Sequence, residues 1–143
     1  MSKGNTFEND WLKLIFNGTA IANIADNAGT GPLTSLYVGL HTADPGESGD
    51  QTTNETAYTG YARVAVDRTT GGWTVTANSV SPVSAIFFAE CSASPGAPLT
   101  HWAIGTSPTG AGKLLYSGTL TPNITMAVGV TPVIKTSSTI TED

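Results

Sequence analysis

Short apolar segments separated by polar turns run along most of the chain, and two of them carry the strongest strand pattern. In residues 36–42, Leu36, Val38 and Leu40 alternate with other residues, so they fall on one face of an extended strand. Residues 61–67 repeat the alternation with small and β-branched side chains. The pattern predicts two strands with one buried face each, on either side of a polar loop.

The rest of the chain continues in the same way. Further strands are predicted at residues 73–76, 84–89, 101–106, 113–120, 124–128 and 132–136, and Ile140 can add a late one. Thr69–Gly72 is interpreted as a hairpin connection and residues 78–82 as another turn. About eight short strands without alternating helices predict an all-β fold, an antiparallel β-sandwich with a jelly-roll-like arrangement as first choice.

One helical segment is predicted, over residues 5–25. Asn5 and Glu8 resemble a capping box, Asn17–Gly18 is expected to end or kink the helix, and residues 19–25 can add a short second one. The chain then divides into an N-terminal helical segment with its linker, residues 1–30, and a β-sandwich domain, residues 31–143.

The helical segment has a broad apolar surface. Phe7, Trp11, Leu14 and Ile15 recur at helical spacing, and Leu12 and Phe16 widen the stripe. Two interpretations remain open: the helix packs on the sheet of its own chain, or it is an arm donated to a partner. The residues of such a partner interface would be Phe7, Trp11, Leu12 and Phe16.

Composition restricts the class of protein. The chain has 143 residues, of which 39% are hydrophobic and only 12% charged, with a net charge of −5. Six Lys and Arg residues form no basic patch, which argues against a nucleic-acid partner. No apolar run reaches membrane-spanning length, and the single Cys91 excludes an intramolecular disulfide, so we expect a fold suited to a reducing cytoplasm.

Residues that could carry chemistry form no convincing constellation. The loop 44–60 has four carboxylates, at Asp44, Glu47, Asp50 and Glu55, but their spacing is not that of a calcium loop, so a solvated loop is favoured. His41, His101 and Cys91 lack the paired spacing of a zinc site, and Glu90 is a lone acid near an apolar run. No serine lies in a G-x-S-x-G elbow. We therefore expect no enzyme activity, no cofactor and no metal.

Three phrases resemble a known family: LHTADPGE, GYARVAV and, nearer the end, KLLYSGTL. With the segment FENDWLKLIFNGTAIANIADNA, they are similar to small virion proteins of short-tailed phages, described as capsid decoration (cement) proteins, with other relatives described as tail or tail-fibre proteins. The resemblance implies a jelly-roll cement protein, made in the host cytoplasm and bound to the capsid exterior. Its partners would be the major capsid protein and itself, as a dimer or trimer. The family has no catalytic motif to assign.

Two other classes of function compete with capsid decoration. A receptor- or glycan-binding module of a tail fibre needs exposed aromatic side chains, which Trp73, Trp102, Tyr58 and Tyr61 could supply. Strand alternation, however, more readily buries the two tryptophans. A small hydrolase would need a catalytic constellation, which the sequence lacks.

Overall fold

Across its described residues, the protein is mostly β-structure with one helix, as predicted. A computed structural model describes residues 5–21 and 33–142, with side chains from Asn9 onward in the helix. The elements are α1 (Asn5–Asn17), β1 (Ser35–His41), β2 (Val64–Asp67), β3 (Trp73–Thr76), β4 (Ser79–Pro82), β5 (Ile86–Phe87), β6 (Leu99–Gly105), β7 (Leu114–Ile124), β8 (Val133–Ile134) and β9 (Ile140–Thr141). No helix in this part of the chain has the length and apolar character needed to cross a bilayer.

The nine strands of this described part form three sheets. The four-stranded sheet has the order β2-β1-β6-β7, the three-stranded sheet β3-β4-β9 and the two-stranded sheet β5-β8. β6 pairs antiparallel with both β1 and β7, and the smaller sheets are also antiparallel. Only β3–β4 and β6–β7 are joined by a short connection, as antiparallel neighbours can be, and the other pairs bring together strands that are more distant in sequence.

The chain groups into two compact units. The first contains α1, Asp67–Ala85 and the C-terminal residues from Lys135, and the second contains Leu36–Val66 and Ile86–Ile134. The predicted domain boundary, between residues 30 and 31, lies outside the described residues and stays a prediction.

In the first unit, α1 packs on the three-stranded sheet. Leu12 and Phe16 from the helix and Trp73 and Val80 from the strands are fully or almost fully buried. The rings of Phe16 and Trp73 meet edge to face with centroids 4.8 Å apart, a geometry that aromatic pairs prefer. This confirms the interpretation in which the helix packs on a sheet of its own chain.

In the second unit, the core lies against the four-stranded sheet. The predicted face of β1, with Leu36, Val38 and Leu40, is buried as expected. Gly39 and His41 on its other face are buried too, so from Val38 onward β1 has no exposed face. A second covering layer therefore lies over this strand, and its residues are described below.

Two predictions about the chain after β2 were wrong. Thr69–Gly72 is not a hairpin connection, because β2 lies in the four-stranded sheet and β3 in the three-stranded one. Residues 78–82 are not a turn: Ser79–Pro82 is strand β4, paired with β3. The true hairpin turn is Ala77–Asn78, where Ala77 has a φ of 52°, a conformation that tight hairpins require and that sequence rules assign to Gly or Asn.

Other boundaries differ in length. The segment predicted at 84–89 is a strand only at Ile86–Phe87, and the one at 132–136 only at Val133–Ile134. Of the strand predicted at 124–128, only Ile124 belongs to a strand, as the last residue of β7. The late strand at Ile140 is confirmed.

The helix ends at Asn17, as predicted. Residues 19–21 of the expected second helix are not helical, and residues 22–25 lie outside the described part.

Candidate functional site

The predicted partner interface lies on α1, and the contacts of this helix decide which of its residues a partner could reach. Asn17 donates from Nδ2 to the carbonyl of Trp73 at 3.0 Å, and Asn9 donates from Nδ2 to the carbonyl of Ala77 at 2.5 Å. These two amides attach the helix to the first residue of β3 and to the turn that follows this strand. The helix is therefore an integral part of the first unit.

Arg68 caps the C-terminal end of α1. The last turn of the helix has no basic residue of its own, and helix C-termini have unpaired carbonyls that attract cations. The Arg68 guanidinium donates to the carbonyls of Leu14 and Ile15, and to that of Leu33 at 3.3 Å. A cation distant in sequence thus caps the helix, a role that the sequence pattern did not indicate.

The four predicted interface residues fall into different environments. Leu12 and Phe16 have no exposed surface, so in this fold they contact their own chain rather than a partner. Trp11 has 38% of its surface exposed. The side chain of Phe7 lies outside the described residues. The interface itself stays a prediction, and Trp11 is its described surface residue.

The second candidate site is the segment of residues 42–63, which we call the strap. It follows β1 and returns along the same strand: the Thr42 N–H donates to the Asn54 carbonyl and the Thr56 N–H to the Leu40 carbonyl. It is the layer that covers the second face of β1. The predicted solvated loop is thus a hydrogen-bonded structure, built largely from polar side chains.

An ion pair ties the strap to itself and to the turn after β6. Arg63 donates from Nε and Nη2 to the two Glu55 oxygens at 2.6 and 2.7 Å, and from Nη1 to the Ser107 carbonyl at 3.0 Å. The side chains of Arg63 and Glu55 are only 3% and 16% exposed. The bidentate geometry matches the fork of arginine, and it raises the pKa of the Arg63 side chain further.

Tyr61 extends this cluster to β1. Its hydroxyl donates to Glu55 Oε1 at 2.8 Å and accepts the Leu40 N–H at 3.1 Å. Burial, together with the nearby Glu55 carboxylate, strongly raises the pKa of the Tyr61 phenol, so the hydroxyl keeps its proton. A Cβ on Gly39 would lie 3.2 Å from this oxygen, which explains why glycine suits that position.

Gln51 fills a slot between two glycines. Its Oε1 accepts the Ser107 N–H at 2.9 Å, and its Nε2 donates to the Ser107 carbonyl at 3.3 Å. A Cβ on Gly105 or Gly112 would lie 2.1 or 2.0 Å from Gln51 side-chain atoms. The amide therefore pairs with the backbone as a neighbouring strand would, in a space that only glycines leave open.

His41 lies beneath the strap with 1% of its surface exposed. Its Nδ1 is 2.9 Å from the Thr53 carbonyl oxygen, and since a carbonyl only accepts, Nδ1 carries the proton. His41 pairs directly with His101 across the β1–β6 ladder. Burial lowers the pKa of His41 below its usual 6.5, because an imidazolium here would lose its hydration.

Two strap carboxylates, Asp44 and Asp50, accept hydrogen bonds from residues close to them in the chain. Asp44 Oδ1 accepts the Gly46 N–H at 2.9 Å, and Asp50 Oδ1 accepts from the N–H and hydroxyl of Thr52. The Thr52 hydrogen bonds lower the pKa of the Asp50 carboxyl. No group of three His, Cys, Asp or Glu side chains in residues 5–21 and 33–142 is arranged to hold a metal ion.

The aromatic residues needed for a glycan platform are mostly inside. Trp73, Trp102 and Tyr58 are buried, as strand alternation favoured for the tryptophans. Tyr58 donates its hydroxyl to the Ala89 carbonyl at 2.9 Å, and Tyr61 stacks on Phe88. These side chains serve the core rather than an open binding surface.

Sequence reasoning passed over Gln51, Arg63 and Arg68, although one of them left a signal. Arg63 is a charged residue inside the apolar run YARVAV, where burial requires a paired acid. Gln51 and Arg68 lie in polar segments and have no local signature. Their partners Ser107, Leu14 and Ile15 are more than 50 residues away in the chain.

The match to a protein-family model identifies the family of this chain. Residues 2–141 match the family described as podophage GP4 fiber I protein gp80, and the chain belongs to this family. Membership of this family makes it a structural virion protein of a podophage. No curated protein matches the sequence.

Proposed function

We propose that this protein is a component of a fibre on the podophage virion. The mostly β domain and its N-terminal helix together form this component. The observation that carries the proposal is the match to a podophage fibre family over residues 2–141. It favours the tail or tail-fibre interpretation over capsid decoration. We also propose that the strands have a jelly-roll-like arrangement. The four-stranded sheet with the order β2-β1-β6-β7 would be one sheet of it.

The stabilised strap supports a structural role. Its side-chain and backbone hydrogen bonds join residues 42–63 to β1 and to the turn after β6, and the Glu55–Arg63 ion pair is almost excluded from water. Such a network holds a long loop in one conformation without a disulfide or a metal. We propose no catalytic role and no cofactor.

The location of the protein in purified virions tests the proposal. Immunogold labelling and quantitative mass spectrometry of virions should find it outside the capsid lattice, at a handful of copies per particle. Hundreds of copies distributed over the head would contradict the fibre assignment and support capsid decoration with the major capsid protein as partner.

We also propose that the protein works as a homo-oligomer, with Trp11 in the contact. Aromatic residues are enriched among the anchors of protein interfaces, and truncating one costs roughly 2–4 kcal/mol. Trp11→Ser should lower the oligomeric mass measured by light scattering. Lys13→Ser, on the same helix, is the matched control. A full-length protein that is monomeric, or an oligomer unchanged by Trp11→Ser, would contradict this contact.

A further inference from the structure

The strap covers a buried histidine, His41, that lies close to other charged groups. His41 is directly opposite His101 in the β1–β6 ladder. Above it lie the Thr53 carbonyl and Glu55, which forms a bridge with His41 in the backbone pairing. Water reaches almost none of the ring while the strap is in place.

Four titratable or charged groups surround His41: Glu55, Tyr61 and Arg63 from the strap and His101 from β6. Tyr61 is neutral over the range in which histidine titrates. Arg63 and His101 disfavour a positive charge on His41, whereas Glu55 favours it. The Glu55 carboxylate, however, already accepts two hydrogen bonds from Arg63 and one from Tyr61.

We propose that the strap is an acid-sensitive latch: protonation of His41 under mildly acidic conditions loosens residues 42–63 from β1, while the latch stays closed at neutral pH. Lifting the strap lets water reach the imidazolium and separates it from Arg63. An ordinary histidine changes charge between pH 5 and 8. The latch therefore responds to a proton without needing a metal or another ligand.

The direction of the effect follows from proton linkage. The pKa of His41 is lowered in the closed form, so the open form binds the proton more tightly. Closure is consequently most favourable above about pH 6.5, the ordinary histidine pKa, and weakens as the pH falls below it. Each unit of pKa depression allows at most about a tenfold rise in the equilibrium constant for opening.

Hydrogen exchange on the full-length protein tests the latch. Protection factors, corrected for the intrinsic pH dependence of exchange, are compared at pH 7.5 and 5.5 for the amides of Thr42 and Thr56, whose hydrogen bonds hold the strap along β1. We expect them to fall severalfold at the lower pH. The amides of β3 and β4, in the other unit, serve as an internal reference and should keep their protection.

His41→Asn is the matching variant, because the asparagine amide can donate to the Thr53 carbonyl but does not titrate. Its strap protection should not depend on pH in this range. Unchanged protection in the wild type, or a fall that persists in His41→Asn, would overturn the proposal.

If His41→Asn does not fold, an NMR titration of the histidine rings in the wild-type protein tests the latch instead. We expect the His41 ring to titrate together with the strap amides. Titration of His41 without any accompanying shift of these amides would also overturn the proposal.

Discussion

At the scale of single residues, the strap shows how a polar side chain can occupy a core position. Gln51 is buried because both of its amide atoms pair with the Ser107 backbone. Buried polar groups are tolerated only when their hydrogen bonds are made. The slot exists because Gly105 and Gly112 have no Cβ, so the three residues depend on one another.

This dependence predicts a measurable coupling. Gly105→Ala should destabilise the protein by about 1–3 kcal/mol, since the new Cβ overlaps the Gln51 side chain. Gln51→Ala alone should cost about 1–3 kcal/mol through the unpaired Ser107 N–H. In the double variant, the added cost of Gly105→Ala should largely disappear, because the three atoms nearest to the new Cβ all belong to Gln51.

Urea unfolding of the four proteins in this cycle measures the coupling free energy. Gly71→Ala is the control, since its Cβ would meet only Thr69 Oγ1 at an ordinary 3.5 Å. Strictly additive costs for Gln51→Ala and Gly105→Ala would contradict the slot.

Gly60 gives a second prediction at this scale. It has a φ of 104°, and a Cβ there would lie 2.8 Å from the Glu90 carbonyl oxygen. Gly60→Ala should therefore cost more than Gly46→Ala, which has a φ of 71° but open space around its Cβ. The difference in unfolding free energy, about 1–3 kcal/mol for overpacking, reports the clash with the Glu90 carbonyl together with the larger backbone strain at a φ of 104°. Equal losses for the two variants would contradict the clash.

At the scale of elements, the helix and β1 depend on contacts that are distant in sequence. α1 has a clear apolar stripe but no basic residue in its last turn, and Arg68 supplies a cation there. β1 has one apolar face by pattern, yet the strap buries the other as well. In both cases the element forms where local rules predict it, and its surroundings come from elsewhere in the chain.

Removing the Arg68 cap should weaken the first unit. Arg68→Met keeps much of the aliphatic stem but leaves the carbonyls of Leu14 and Ile15 without their donors, a loss of about 1–3 kcal/mol. Far-UV circular dichroism and urea unfolding measure it. Lys113→Met removes the same charge at an exposed position and should change stability little. If both variants lose equal stability, net charge rather than the cap is responsible.

At the scale of the whole molecule, the burial of each α1 side chain decides which substitutions can test the role of the helix in assembly. Leu12 belongs to the core of the first unit, so Leu12→Ala should cost about 2–5 kcal/mol in unfolding free energy. Trp11→Ala should cost less, because Trp11 is partly exposed. Deleting residues 1–17 would remove core residues, and point variants are therefore the cleaner probe of assembly. A larger loss for Trp11→Ala, measured by urea unfolding, would place Trp11 among the core residues.

Most of the strand pattern could be predicted from the sequence, because alternation and turn residues act over a few positions. β1, β3, β6 and the start of β7 lie close to their predicted ranges. β4 was missed because its central Val80 is flanked by serines, and only pairing with β3 and β9 gives it a sheet. Sheet partners of β2 and β3 could not be predicted, since the turn between them is compatible with either one sheet or two.

The sequence by itself determined the class of fold, the N-terminal helix with its end at Asn17, and the kinship to phage virion proteins, because these depend on local pattern and on recognisable phrases. Only the tertiary structure decided which polar residues are inside. Gln51, Arg63 and Arg68 each have a partner that is distant in the chain. A buried polar side chain is stable only when its partner is also in place, and that condition is met in three dimensions, not along the sequence.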